Sequence, residues 1–193
     1  MENNEQAPRP GAGSAPRPMH PEGEHRVREF VNSLRRLAHP EHEDREALAI
    51  LRRGLSRPPG EDPALDRYIA PYLGPECRLP DRWFYVVGSL FGLYSDASGN
   101  NRSLGESFRG ADAERESTRA RFLTLLACDS DDLPGQLRHA ISLLKAHEAP
   151  VNWEQLLRDL LCWEQEERTV QRRWARHFFY QPRPEQKGTD DDE

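Results

Sequence analysis

The spacing of apolar residues is the feature that most restricts how this chain can fold. In its first apolar stretch, large apolar side chains recur at steps of three and four residues, at Val27, Phe30, Val31, Leu34 and Leu37. Residues with this spacing share one face of a helix. The same spacing returns in nearly every later stretch, and no segment alternates apolar and polar residues for long enough to indicate a sheet. The sequence therefore predicts an all-α fold.

Proline and glycine punctuate the N-terminal half. The first predicted helix ends near Pro40, the second stops at 56–60, and the third is perturbed by Pro71. A fourth helix opens at Pro80, because proline is favoured in the first turn of a helix. The loop at 96–101 is the predicted boundary between two helical halves.

The C-terminal half reads as three shorter helices and one long segment. A short helix is predicted over 103–108 and a longer one over 113–127. The acidic run 129–132 is predicted to cap the next helix, since aspartate and serine are favoured N-caps. The last apolar stripe runs over 152–179, with an expected kink or break near 165–168.

Both ends of the chain lack the apolar residues that folding requires. Residues 1–24 hold five of the 16 prolines and 182–193 end in acidic residues, so we expect both tails to be disordered. Residues 1–24 and 185–193 together hold nine of the 33 acidic residues and three of the 27 basic ones, which leaves 24 of each. The net charge of −6 therefore belongs to the tails, and any charged surface of the folded part must come from local clustering.

The sequence contains no recognisable catalytic or metal-binding motif. His42-Glu43 and His147-Glu148 begin like a zinc-protease helix, but neither pair is followed by the second histidine. The aspartates near 130 resemble a calcium loop, yet Pro134 occupies the position of its glycine. We therefore predict no catalytic residue, no metal and no cofactor.

The cysteines and the N-terminus indicate a cytoplasmic protein. Cys77, Cys128 and Cys162 are widely spaced, odd in number and without a CxxC pair, which fits a reducing compartment. The N-terminus has no apolar core of a signal peptide.

Several arginines have no acidic partner within their own helix. Charged helices usually pair arginines with acids three or four residues away, as Glu154 with Arg158 and Glu164 with Arg168. The spacing leaves other arginines without such a partner, and these are Arg52, Arg53, Arg121, Arg138, Arg172, Arg173 and Arg176. Arranged in one groove, they would hold phosphates without reading sequence.

Two plainer interpretations of these arginines remain open. They could form a solvated polar face, or lie at the rim of the core, as Arg119 could beside Phe122 and Leu126. The ratio of 25 arginines to two lysines could also reflect a GC-rich genome.

An ordered set of segments resembles the small subunit of the type I-E CRISPR surveillance complex Cascade, the CasB family. The resemblance spans about 27–180, and its segments are 50–53 (Ile-Leu-Arg-Arg), 68–71, 103–108 (Ser-Leu-Gly-Glu-Ser-Phe), 116–122 (Glu-Ser-Thr-Arg-Ala-Arg-Phe), 136–138 (Gln-Leu-Arg), 150–153 (Pro-Val-Asn-Trp) and 160–163 (Leu-Leu-Cys-Trp).

The resemblance implies two packed helical bundles, an N-terminal one over 25–98 and a C-terminal one over 99–181. It implies a non-catalytic subunit, present in two copies beside the other Cascade subunits, that contacts guide RNA and both the target and non-target DNA strands. Its role would be to stabilise the opened duplex and its displaced strand, and so to license recruitment of the Cas3 nuclease-helicase. Guide pairing would read the sequence, so this subunit would need only backbone contacts.

The candidate nucleic-acid-binding residues are chosen for two reasons, a position in a segment that resembles the family or the lack of an acidic partner within the helix. Arg52, Arg53, Arg119 and Arg138 lie in the matching segments, and Arg121 is added for its lack of a partner. The set is completed by Arg109, Arg172, Arg173 and Arg176. Two other functions remain as alternatives, a protein–protein adaptor without nucleic-acid contact and a helical enzyme with an unrecognised site.

Overall fold

A computed structural model describes residues 21–56, 61–73, 81–95 and 102–180. These residues form α-helices, two short 3-10 turns (Gly54–Ser56 and Ala70–Tyr72) and, within the described ranges, no strand. The helices are α1 (Pro21–Leu37), α2 (Arg45–Arg53), α3 (Pro63–Ile69), α4 (Arg82–Leu93), α5 (Leu104–Gly110), α6 (Glu116–Ala127), α7 (Leu133–Ala146), α8 (Trp153–Leu161) and α9 (Thr169–Phe179). The predicted all-α fold is confirmed.

Local sequence signals account for several helix ends. Asp44 and Asp62 cap α2 and α3 through side-chain hydrogen bonds to Ala47 and Ala64 N–H. Ser103 begins α5 with a reciprocal capping box to Glu106, in which each side chain accepts from the backbone N–H of the other residue. The side chains of these polar residues accept hydrogen bonds from first-turn N–H groups, and this fixes where the helices start.

The predicted breaks agree with the structure wherever it describes them. α3 gives way to a 3-10 turn that contains Pro71, and Arg168 takes a left-handed conformation (φ 49°) between α8 and α9. The boundary loop at 96–101 and Pro80 lie outside the described residues. α1 begins at Pro21, inside the segment 1–24 that was assigned to a tail, and Glu24 pairs with Arg158 of α8 (2.6 Å).

The two halves of the chain share one core. α4 packs on α2, α3, α7 and α8, and α1 packs on α8. The buried apolar residues of all these helices form one continuous cluster, and its largest fully buried members are Trp83, Trp153 and Trp174. Helices that are apolar on one face bury that face against their neighbours, which holds the N-terminal and C-terminal helices together.

Two helix pairs approach so closely that only glycine fits between them. A Cβ on Gly92 of α4 would lie 2.7 Å from Arg52 N and 2.8 Å from Leu48 O of α2. A Cβ on Gly105 of α5 would lie 2.9 Å from the carbonyl carbon of Trp174 on α9, and closer still to its oxygen. These approaches fix the positions of α2 on α4 and of α9 on α5.

The predicted cap of α7 is confirmed in position, since Asp132 of the run 129–132 occupies the N-cap, but the Asp132 side chain makes no capping hydrogen bond. One local prediction was wrong. Arg168 does not pair with Glu164, because α8 ends at Leu161 and α9 begins at Thr169, so the two residues do not share a helix. Arg168 donates instead to Leu126 O (2.5 Å), while Glu164 pairs with Arg82 (2.5 Å).

Within the described ranges, no helix combines the length and apolar character needed to cross a membrane.

Candidate nucleic-acid interface

Two cations from different helices meet at the C-terminal end of α4. Arg52 Nε of α2 donates to Gly92 O, and Lys145 Nζ of α7 donates to Leu93 O, both at 2.9 Å. The end of a helix carries a partial negative charge from its unpaired carbonyl groups, which favours cations there. The structure thus holds these two side chains close together, although 93 positions separate them in the sequence.

Two further predicted arginines extend this basic area on α2 and α7. Arg53 follows Arg52, and Arg138 lies two helical turns before Lys145 on α7. Both side chains are exposed and form no hydrogen bond or ion pair with the described part of the chain. We call Arg52, Arg53, Arg138 and Lys145 the α2–α7 basic surface.

A groove of about 420 Å³ runs between α6 and α7. Arg115 and Arg121 line it from α6, and His139 and His147 line it from α7. None of the described residues that line the groove is acidic. The guanidinium of Arg121, predicted as a site residue, has no partner within the described ranges. We call this feature the α6–α7 groove.

The exposed side of α9 carries arginines next to aromatic rings. Arg172 and Arg176, one turn apart, are exposed and unpaired among the described residues. Phe179 and Tyr180 follow them and are 44% and 59% exposed. Arg119 of α6 is exposed, and its guanidinium lies over the Phe179 ring, 5.5 Å from the ring centre.

Arg109 has a structural contact that restricts it. Its guanidinium donates to His177 O (2.9 Å) and lies 5.6 Å from the centre of the Tyr180 ring. His177 Nδ1 in turn lies 2.6 Å from Ser103 Oγ and 3.6 Å from Glu106 Oε2. Arg109 therefore ties α5 to the end of α9 while part of it remains accessible.

Arg173 has an acidic partner on another helix, although no acid lies within four residues of it in the sequence. It pairs with Asp159 of α8, which is 2% exposed and also accepts hydrogen bonds from Gln155 Nε2 and the Trp174 indole. Burial raises the pKa of Asp159, although Arg173 and the other two donors favour its charged form. The search for acids within four residues missed this pair because its members belong to different helices.

The structure adds four residues to these surfaces that the sequence does not predict as site residues. Arg115, His139 and His147 join Arg121 in the α6–α7 groove, and Phe179 joins Arg119 on α9. His139 of α7 and His147, the C-cap residue of α7, are eight residues apart, and this spacing brings both to one side of the helix. Only the packing of α7 on α6 shows that this face meets arginines.

The described residues contain no group of three or more His, Cys, Asp or Glu side chains placed to hold a metal ion. The histidine pair that follows α1 illustrates the point. The rings of His39 and His42 are stacked with centres 6.1 Å apart, and His39 Nδ1 accepts from Glu41 N–H (3.3 Å).

Comparisons with known proteins agree on one family. The family model of the CRISPR-associated protein Cse2 matches residues 47–179. A CRISPR-associated protein Cse2 from Thermus thermophilus is 35% identical over 135 residues, which cover 69% of this chain and 78% of that protein.

Solved structures give the same result. CasB from Thermus thermophilus superposes on this chain with a TM-score of 0.69 at 32% sequence identity. The superposed region covers 83% of this chain and 99% of the CasB chain. A chain of a CRISPR RNA-guided surveillance complex superposes with a TM-score of 0.66 at 26% identity, over 81% of this chain and 92% of its own. The resemblance seen in the sequence is thereby confirmed, and this chain belongs to the Cse2 family of CRISPR-associated proteins.

Proposed function

We propose that this protein is a non-catalytic, nucleic-acid-binding subunit of a type I-E RNA-guided surveillance complex in the cytoplasm. It stabilises the paired guide RNA and target DNA, together with the displaced strand, through phosphate contacts. Two copies act beside the other subunits of the complex, and the opened duplex then becomes a substrate for Cas3. The similarity to a chain of a CRISPR RNA-guided surveillance complex supports the assembly.

The α2–α7 basic surface is the observation that carries the nucleic-acid part of this proposal. Arg53 and Arg138 are exposed on two helices that α4 holds together, and neither has an acidic partner among the described residues. An exposed arginine whose charge is not used inside the fold is available to a phosphate, which it binds with its planar fork of donors. No base reading is required, since guide pairing supplies the sequence recognition.

The energetics of strand exchange make a few such contacts sufficient. The heteroduplex that forms is about as stable as the DNA duplex that it replaces, so small gains from protein contacts decide the equilibrium. A folded part that carries little net charge, with local basic surfaces, suits a subunit that acts inside a larger complex.

The test replaces two arginines in the assembled complex. A complex reconstituted with the Arg53→Ala/Arg138→Ala double variant should bind duplex DNA carrying the target about tenfold more weakly. The slope of log affinity against log salt should become shallower by about 0.9 for each duplex phosphate that the variant no longer binds. Binding is measured by mobility shift at several salt concentrations.

Arg45→Ala provides the matched control for this experiment. Arg45 lies at the start of α2 and is 88% exposed, but it pairs locally with Glu43 (2.9 Å). Its removal should leave both affinity and slope unchanged. Equal affinity and equal slope for the double variant and this control would refute the proposed phosphate contacts.

A protein–protein adaptor without nucleic-acid contact is the second candidate, and exposed apolar side chains favour it. Leu123 is 46% exposed one turn from Arg119, and Tyr180 is 59% exposed at the end of α9. Contiguous patches of exposed apolar residues often mark protein interfaces, and Phe179, 44% exposed, adjoins Tyr180. In that case Leu123→Ala with Tyr180→Ala would remove the subunit from the complex, while the arginine double variant would bind target DNA normally.

A further inference from the structure

The α6–α7 groove contains a buried hydroxyl group that lacks a partner. Thr118 lines the groove and is 1% exposed. Its Oγ1 makes no hydrogen bond with any described residue. Buried polar side-chain atoms are normally hydrogen-bonded, so the Thr118 hydroxyl at the wall of the groove still has a hydrogen bond to offer to an acceptor.

The groove also meets the open N-terminus of α6. Arg115 occupies the N-cap position, and its side chain makes no capping hydrogen bond. The backbone N–H groups of Thr118 and Arg119 are bonded to Arg115 O (3.0 and 3.1 Å). The N–H groups of Glu116 and Ser117 precede them in the first turn, where a helix has no internal acceptors to offer. Such an end attracts anions, because the donors and the helix dipole act together.

Four basic side chains surround this point. Arg115 and Arg121 approach from α6, and His139 and His147 from α7. No acidic residue within the described ranges lines the groove. Each wall of the groove thus offers hydrogen-bond donors or positive charge to the same volume, which admits a tetrahedral anion.

We propose that the α6–α7 groove is a phosphate-binding site. A phosphate group accepts hydrogen bonds from the Thr118 hydroxyl and the first turn of α6, and it pairs with Arg115 and Arg121. His139 and His147 close the site from α7. The phosphate is carried by a nucleic-acid backbone or is free inorganic phosphate, and only the first of these sources rests on the function proposed above.

The test follows the groove directly by NMR of the purified full chain. Inorganic phosphate in one titration, and a single-stranded oligonucleotide in another, should shift the ring signals of His139 and His147 and the amide signal of Thr118. Thr118→Val and Arg121→Ala should each weaken inorganic phosphate binding about tenfold, since each removes a hydrogen bond or ion pair to a charged group.

Two variants of the same chemical kind serve as controls. Thr124→Val removes a hydroxyl from the same helix, where it donates to Ala120 O (3.0 Å) away from the groove. Arg45→Ala removes an exposed arginine from α2. Both should bind inorganic phosphate like the unchanged protein.

The outcomes separate this site from the proposed function. Groove signals that respond to neither inorganic phosphate nor the oligonucleotide overturn the site. Equal phosphate affinity of Thr118→Val and Thr124→Val also overturns it. Shifts with inorganic phosphate alone support the site and identify free phosphate as its ligand. The groove can also bind phosphate while the complex with Arg53→Ala/Arg138→Ala binds target DNA as tightly as the complex with Arg45→Ala. That result refutes the phosphate contacts of the α2–α7 basic surface and supports the phosphate site in the groove.

Discussion

Replacing Asp159 with alanine should be among the most damaging single changes in this protein. Its carboxylate lies between α8 and α9 and accepts hydrogen bonds from Gln155, Arg173 and the Trp174 indole. Asp159 is 2% exposed and Trp174 is fully buried, so water cannot replace the missing acceptor at the indole. The change removes the carboxylate that holds α9 against α8 across the left-handed turn at Arg168.

The magnitude follows from what each donor loses. The buried indole N–H is left without an acceptor, at a cost of about 1–3 kcal/mol. Arg173 is 30% exposed and can turn toward water, so the loss of its pair adds about 1 kcal/mol. Gln155 is half-buried and adds little. We therefore expect Asp159→Ala to lower the free energy of unfolding by about 2–4 kcal/mol, which overlaps the range of about 3–5 kcal/mol for breaking a buried ion pair.

Urea unfolding followed by circular dichroism at pH 7 measures this loss. Asp159→Asn keeps an acceptor for the indole but loses the charge, so it should cost about 1–2 kcal/mol. Glu166→Ala, at an exposed acid between α8 and α9, should stay within about 0.5 kcal/mol of the unchanged protein. A loss below about 1 kcal/mol for Asp159→Ala, or one equal to that of Glu166→Ala, would refute the reasoning.

Two other predictions concern α5. Gly105→Ala forces a methyl group into the backbone of Trp174 and should lower the free energy of unfolding by about 3 kcal/mol. Gly110 has open space around it, so Gly110→Ala should change this free energy by less than about 0.5 kcal/mol in the same urea assay. Similar values for the two variants would contradict the close approach of α5 and α9. Burial acts to raise the pKa of Glu106, but the hydrogen bonds of its capping box and the nearby His177 lower it on balance from its ordinary value of 4.5. A pKa lowered in the folded state adds stability above 4.5, and this is lost as the pH falls through the folded-state value. Between about pH 6 and pH 3, the melting temperature of the unchanged protein should therefore fall more steeply than that of Glu106→Gln. Parallel curves of melting temperature against pH would contradict the lowered pKa of Glu106.

Most of the fold could be predicted from the sequence because helices are local structures. The repeat of apolar residues at three and four positions reports one buried face, and proline, glycine and capping residues report the ends. The break expected near 165–168 lies between α8 and α9 in the structure, and the short helix predicted over 103–108 corresponds to α5. The ordered segments around these helices also carried the family, which the comparisons confirmed.

The candidate site could be predicted only in part, because pairing across helices leaves no trace at helical spacing. By the same local rule, Arg121 and Arg173 both lack an acid within four residues. Arg121 is indeed free among the described residues and lines the α6–α7 groove, whereas Arg173 pairs with buried Asp159, 14 positions away. The sequence cannot distinguish them, since the difference depends on which helix packs opposite each one.

The sequence by itself determined the helical class, most helix ends and the family, because each depends on residues close together along the chain. The tertiary structure alone decided which cations are used inside the fold and which remain available. Packing brought Arg52 and Lys145 to the same end of α4 and set His139 and His147 opposite Arg121. It did so because a charged side chain finds its partners in space, within a few ångströms, and not along the sequence.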